Sequence, residues 1–158
     1  LTGGVLAIAN HVSNFCDHVG LLSSLGEVNS CEDFIKAKLN HNVTAHFVRV
    51  PGAPTIIKRR FVEEYLAAKL FEVYVMRDDA PPAEVEAEFC RELERRAPEY
   101  DVVIVADYGH GLMTDRAVGL VCDRSRFLAV NTQANAGNKG LNTISKYPRA
   151  DYVSLGEP

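Results

Sequence analysis

Apolar residues recur along this chain with two different periods, and the switches between them mark out its elements. In residues 5–16, Leu6, Ala9, Ser13 and Cys16 follow one another at spacings of three and four, as on one face of a helix. Residues 19–23 are a short apolar strand ending near Gly26. Residues 31–39 read as a second helix, with Phe34, Ile35 and Leu39 inward and the lysines outward. Residues 43–50 read as a strand, expected to stop at Pro51-Gly52. Two β-rich runs follow, 55–62 and 69–76. In the second, Leu70, Glu72 and Tyr74 alternate with Phe71, Val73 and Val75, so both faces are partly apolar and cover on both sides is expected. The two runs should pair as a hairpin forming a small β-layer of its own.

Pro81-Pro82 opens a helix, since proline suits the first helical turn. Val85, Phe89, Leu93 and Ala97 then recur every four residues. Residues 101–106 (DVVIVA) are a nearly continuous apolar strand of the kind buried in a parallel sheet. Thr114 is the expected cap of the next helix, with Val118, Val121 and Cys122 inward. Residues 127–130 form another buried strand, followed by a polar loop over 131–140, a short helix near 141–146 and a last strand at 151–155. Strand–helix–strand order repeated in this way predicts an α/β fold in three layers with a mainly parallel sheet.

Composition narrows the function classes. The chain has 158 residues, 47% hydrophobic and 24% charged, enough for one domain with a real core. Net charge is −4 and there is no basic tract, only the short pairs Arg59-Arg60 and Arg95-Arg96, which argues against nucleic-acid binding. No apolar run approaches the roughly 20 residues that span a bilayer. The four cysteines are far apart with no C-x-x-C pair, which fits reduced thiols and a cytoplasmic location rather than a zinc site or disulfide framework. His41 and His46 are too poorly spaced for joint metal ligation. Both ends read as cuts rather than natural termini.

Ligands of open α/β sheets bind beyond the carboxyl ends of the strands. Three segments are polar or glycine-rich at that position: Asp107-Tyr108-Gly109-His110-Gly111, the 131–140 loop, and residues 154–157. Turn chemistry alone explains one such loop; three in consecutive units point to a small-molecule site. Gly3-Gly4 before a helix permits close backbone approach and presents free N–H groups, although on these residues alone a plain tight turn is the better reading. The sequence has no Walker lysine loop, no G-x-G-x-x-G and no G-x-S-x-G.

Taken in order, these segments resemble the ribokinase-like (PfkB-type) carbohydrate kinases, and within them the branch that phosphorylates heptose 7-phosphate for ADP-heptose synthesis. Gly3-Gly4 and the following helix are similar to the family's di-glycine signature under the sugar. Pro54-Thr55-Ile56-Ile57-Lys58-Arg59-Arg60 with Lys69-Leu70-Phe71-Glu72 resembles the T-x-K-x-R strand and its partner. DVVIVADYGHGL resembles the strand and D-Y-x-K-G loop of that branch. FLAVNTQ sits where V-D-P-K would be, and Ser154 to Glu157 where N-x-x-E would be. The departures are Ala7 for an asparagine, His110 for the lysine, Asn131-Thr132-Gln133 for D-P-K, and Ser154 for the asparagine.

The resemblance implies a partial kinase domain using ATP and Mg²⁺, with a lid hairpin at about 54–76 that also serves homodimer contacts. It places Gly3, Gly4, Asn10, His11, Lys58, Arg60, Asp107 and His110 on the sugar or sugar-phosphate side. Asn131 and Glu157 fall on the nucleotide side, with Glu157 as an outer-shell Mg²⁺ ligand. Asn10 or His11, Lys58, Arg60 and Asp107 are expected to line one pocket. The first strand and the G-x-G-D half with the catalytic base would lie outside residues 1–158, leaving the fragment itself inactive. A same-fold kinase for another sugar or nucleoside, and a non-catalytic sugar-binding or regulatory module, are the alternative expectations.

Overall fold

The computed structural model describes residues 3–66, 68–77, 79–133 and 141–156. Their order is α1 (Gly4–Val12), β1 (Val19–Val28), α2 (Glu32–Lys36), β2 (Val43–Pro54), β3 (Ile57–Val62), β4 (Lys69–Val75), α3 (Ala83–Arg96), β5 (Val103–Asp107), α4 (Asp115–Arg124), β6 (Leu128–Thr132) and β7 (Tyr152–Leu155). Among the described residues the fold is mixed α/β with mostly parallel strands and no closed barrel. β1 pairs with β2 in parallel, and β5, β6 and β7 form a parallel three-stranded sheet in that order. β3 and β4 pair antiparallel as the expected hairpin, with Ile57 opposite Val75.

Two cores hold the layers together. On one face of β1–β2, Leu21 and Leu25 meet Leu6 and Ala9 of α1 and Ile35 of α2. On the other, Val48 joins Val85, Phe89, Cys90 and Leu93 of α3, Val118 and Val121 of α4, and Val105, Leu128 and Val130 of the second sheet. Each buried Val, Leu, Ile or Phe among them contributes about 1.5–3 kcal/mol by leaving water. The four-residue repeat read in α3 is thus the stripe that faces the core. α4 starts as expected, with Thr114 Oγ1 accepting from Ala117 N–H. The three layers are complete only over β1–β2. Val102, Ile104 and Phe127 lie on the other face of β5–β6 from Val105 and Leu128, and all three are exposed.

Several local expectations fail for identifiable reasons. β2 runs through Pro51-Gly52 to Pro54, because β1 lies on its bonded side and Gly52 adopts φ 64°, so the strand absorbs both residues at an irregularity in the register. α1 stops at Val12, leaving Cys16 exposed, while Ser13 is buried because its hydroxyl bonds Asn10 C=O. Adjacent residues of α2 point about 100° apart, so Ile35 is buried and Phe34 exposed. Asn131 and Thr132 belong to β6 rather than to the following loop. On β4, Leu70, Phe71 and Val73 are exposed, so among the described residues the hairpin is not covered on both sides.

Candidate functional site

The site is built where α1 begins and β5 ends. Gly3 is the extended residue before α1, and the first helical bond runs from Ala7 N–H to its carbonyl. After β5 the chain turns sharply through Gly109 and Gly111, both in the left-handed region that glycine favours (φ 69° and 84°). That turn sends the ring of Tyr108 back against α1. Tyr108 Oη and Cζ occupy the space that a β-carbon on Gly4 would need, so glycine is required there by contact rather than by backbone conformation.

The hairpin delivers a cation to the same place. Lys58 Nζ lies 4.8 Å from the centroid of Tyr74 and 6.0 Å from that of Tyr108, within reach of cation–π attraction. Burial lowers the Lys58 pKa from its usual value, with Glu72 opposing that shift. Burial raises the Tyr108 phenol, partly offset by a hydrogen bond from Gln133. His110 stacks nearly parallel to Tyr108, with 6.5 Å between centroids. Beside this group a shallow pocket opens over the ends of β1 and β2, rimmed by Ser24, Gly26, Arg77, Asp79 and His110.

Of the residues expected on the sugar side, the structure brings Gly4, Lys58 and His110 around Tyr108, with Gly3 at the start of the same helix. The expected single pocket of Asn10 or His11, Lys58, Arg60 and Asp107 does not form. Asn10 lies six residues into α1, about 9 Å along its axis from Gly4. Its side chain donates to Lys38 C=O (2.7 Å) and accepts from Asn40 N–H (2.9 Å), fastening α1 to the turn before β2. His11 packs edge-on against Phe15. Arg60 is ion-paired with Glu72 directly across the hairpin and is otherwise solvated.

Asp107 departs furthest from expectation. Strand alternation puts it on the same side as Val103 and Val105, facing the core, where it is 4% exposed. Tyr147 Oη donates to its Oδ2 at 2.7 Å, Lys146 Nζ approaches the same oxygen at 2.5 Å, and Oδ1 accepts from Gly109 N–H. Burial, and then the bond to Asp107, push the Tyr147 phenol well above its usual pKa. Asp107 therefore braces the loop that presents Tyr108. Asn131 is also engaged, donating from Nδ2 to Ser154 C=O (2.8 Å) across β6 and β7.

Glu157 and most of the 131–140 loop lie outside the described residues. Among the described residues no three His, Cys, Asp or Glu side chains come together as a metal-ligand set. Asn131 Oδ1, unlike its Nδ2, is buried with no hydrogen-bond partner among the described residues. Sequence reasoning missed Tyr74 and Tyr108 as the flanks of Lys58, and Lys146-Tyr147 as partners of Asp107. Tyr108 stood inside a segment already singled out; the 40-residue separation of Asp107 and Tyr147 left no local signal. No helix among the described residues is long and apolar enough to cross a membrane. Compared with known proteins, the chain matches no protein-family model and no curated protein.

Proposed function

We propose that this chain is the substrate-side part of a ribokinase-like sugar kinase, which transfers the γ-phosphate of ATP to a hydroxyl of a sugar or sugar phosphate. Heptose 7-phosphate is the acceptor favoured by the sequence resemblance. The observation that carries the reading is the convergence of Gly4, Lys58 and Tyr108. They come from three segments distant in sequence, each of which the resemblance assigns to the sugar.

The convergence suits a phosphorylated polyol. The amino end of α1 and the Lys58 ammonium attract an anionic group. The faces of Tyr74 and Tyr108 give apolar walls against which a sugar's C–H surface packs, while hydroxyls meet Ser24, Asp79 and His110 on the rim. An anion bound beside Lys58 also favours its protonated form, opposing the effect of burial. These residues bind and orient the acceptor. Phosphoryl transfer is largely positioning and charge neutralisation around the nucleotide phosphates, and it needs the half of the site that the resemblance places beyond Pro158.

A second reading, a sugar-binding module without catalysis, is favoured by Asp107. This carboxylate, which the resemblance places on the sugar side, is instead engaged by Tyr147, Lys146 and Gly109 N–H, a departure from the kinase pattern. The deciding experiment uses the full-length protein with Mg²⁺–ATP and a panel of sugars and sugar phosphates, followed by ³¹P NMR. The kinase reading expects ADP and a new sugar-phosphate resonance with at least one acceptor. Saturable sugar binding without product supports the module, and neither binding nor turnover overturns both.

A further inference from the structure

One side chain reaches across the ends of β5 and β6 behind the corner formed by Gly4, Lys58 and Tyr108. The two strands stop together, with Asp107 opposite Thr132, and Gln133 N–H then donates to Asp107 C=O (2.9 Å). Asn142 continues the bonding from there. Its Nδ2 donates to Asp107 C=O (2.9 Å) and to Gln133 C=O (3.3 Å), while its Oδ1 accepts from Lys146 Nζ (2.9 Å). Lys146 in turn lies 2.5 Å from Asp107 Oδ2. Both ends of the amide, donor and acceptor, are thus engaged. The chain around Asn142 is firmly seated. A turn of 3₁₀-helix follows at Ile144–Lys146, and Tyr147 is buried in the core with its hydroxyl on Asp107.

The two carbonyls that Asn142 holds belong to residues at either end of Tyr108. Asp107 precedes it in the chain and so places its Cα. The side chain of Gln133 bonds its phenol at the far end of the ring. A tyrosine ring turns about two side-chain bonds, and both are settled once its two ends are placed. On another side Gly4 lies so close that a β-carbon there would collide with Tyr108 Oη. Lys58 Nζ, 6.0 Å from the ring centroid, therefore meets a face whose position is set from behind.

We infer that Asn142 is a positioning residue of this corner: by tying Asp107 and Gln133 together it holds the Tyr108 ring against which the acceptor packs. This rests on reading the corner as the acceptor site. A binding constellation depends on such backing, and a misplacement of about 1 Å caused from a distance can cost about 100-fold. The residue type follows from the partners. Aspartate at position 142 would keep the shape and the contact with Lys146. It would also set a carboxylate against the carbonyl oxygens of Asp107 and Gln133 and donate to neither.

Asn142→Asp in the full-length protein is therefore the test. The readouts are the ring resonances of ¹³C-labelled tyrosine, with Tyr108 assigned by its loss in Tyr108→Phe, and the KM values for a phosphorylated sugar and for ATP. The Tyr108 resonances should shift, and the acceptor KM should rise at least fivefold with the KM for ATP unchanged. Gln133→Leu should do the same, and the double variant should add little to the larger single effect, as for two cuts in one path. Destabilisation alone would lower the active fraction, and with it kcat, leaving the Tyr108 ring of the folded molecules and both KM values where they were. Unmoved Tyr108 resonances overturn the inference whatever the kinetics. A moved ring with an unchanged acceptor KM upholds Asn142 as the support of Tyr108 and overturns the acceptor assignment instead. Should Asn142→Asp fail to fold, Gln133→Leu cuts the same path at an exposed position, and an unmoved ring there contradicts the inference.

Discussion

The ring of Tyr108 lies against Gly4 so closely that the helix has no room for a β-carbon at that position. The contact joins the loop after β5 to the start of α1, and through Tyr108 it sets where Lys58 rests. Gly4→Ala should therefore separate stability from site geometry. Alanine is the better helix former, which offsets part of the cost of displacing the Tyr108 ring, so the melting temperature should change little. The Tyr108 ring must move aside, which shifts its NMR resonances and, in the full-length protein, raises the KM for the acceptor several-fold. A Gly4→Ala variant with unchanged Tyr108 shifts and unchanged KM would show that the contact has no role in the site.

Asp107 gives the opposite pattern. Its carboxylate is buried and committed to Tyr147 and Lys146. Tyr147→Phe leaves Oδ2 with Lys146 alone and should cost about 1–3 kcal/mol. Asp107→Ala removes the partner of both residues and should cost more, about 3–5 kcal/mol, as expected when one member of a buried pair is deleted. Urea denaturation measures both. A stable Asp107→Ala protein that loses only acceptor binding would return Asp107 to the substrate side.

The hairpin carries its own acid sensitivity. The bond from Arg60, helped by Lys69 and Tyr74, holds the Glu72 carboxyl down at about 2, against an ordinary value of 4.5. A carboxyl depressed on folding stabilises above its unfolded pKa, and that contribution disappears as pH falls through the folded value. The β3–β4 pairing should therefore loosen between about pH 4.5 and 2. The stacked Phe61–Phe71 rings, 4.4 Å apart, report it through their NMR shifts. Glu72→Gln should abolish this pH dependence; an identical acid transition in that variant would assign it to another group.

Much of the architecture was legible in the sequence because its signals are local. The four-residue repeat from Val85 to Ala97, the Thr114 cap and the apolar run 101–106 that overlaps β5 each depend on neighbours within one or two turns or on a single strand. The hairpin was legible for the same reason, from alternation and two flanking breaks. The site was less so. Lys58 and Arg60 share a strand face, and nothing local distinguishes the lysine that reaches Tyr108 from the arginine that Glu72 captures across the hairpin. Asp107 read as a ligand-side acid because the partners that bury it lie 40 residues away. Asn10 looked available until α1 docked beside Lys38 and Asn40.

On the proposed reading, residues 1–158 alone should show no measurable ATP hydrolysis or sugar phosphorylation, since the resemblance assigns the catalytic base to a G-x-G-D motif that this sequence does not contain. A coupled ADP assay with sugar acceptors checks this. Turnover by the isolated chain would mean that the transfer centre lies within it.

Lys58 offers the most direct test of the account. In the full-length protein, steady-state kinetics of Lys58→Ala with a phosphorylated sugar and ATP should show the KM for the sugar phosphate rising about tenfold or more. That corresponds to losing about 1.4 kcal/mol of binding, and the KM for ATP should stay unchanged. Unaltered sugar-phosphate kinetics, or equal weakening of both substrates, would contradict the assignment of Lys58 and of the Gly4–Tyr108 corner to the acceptor.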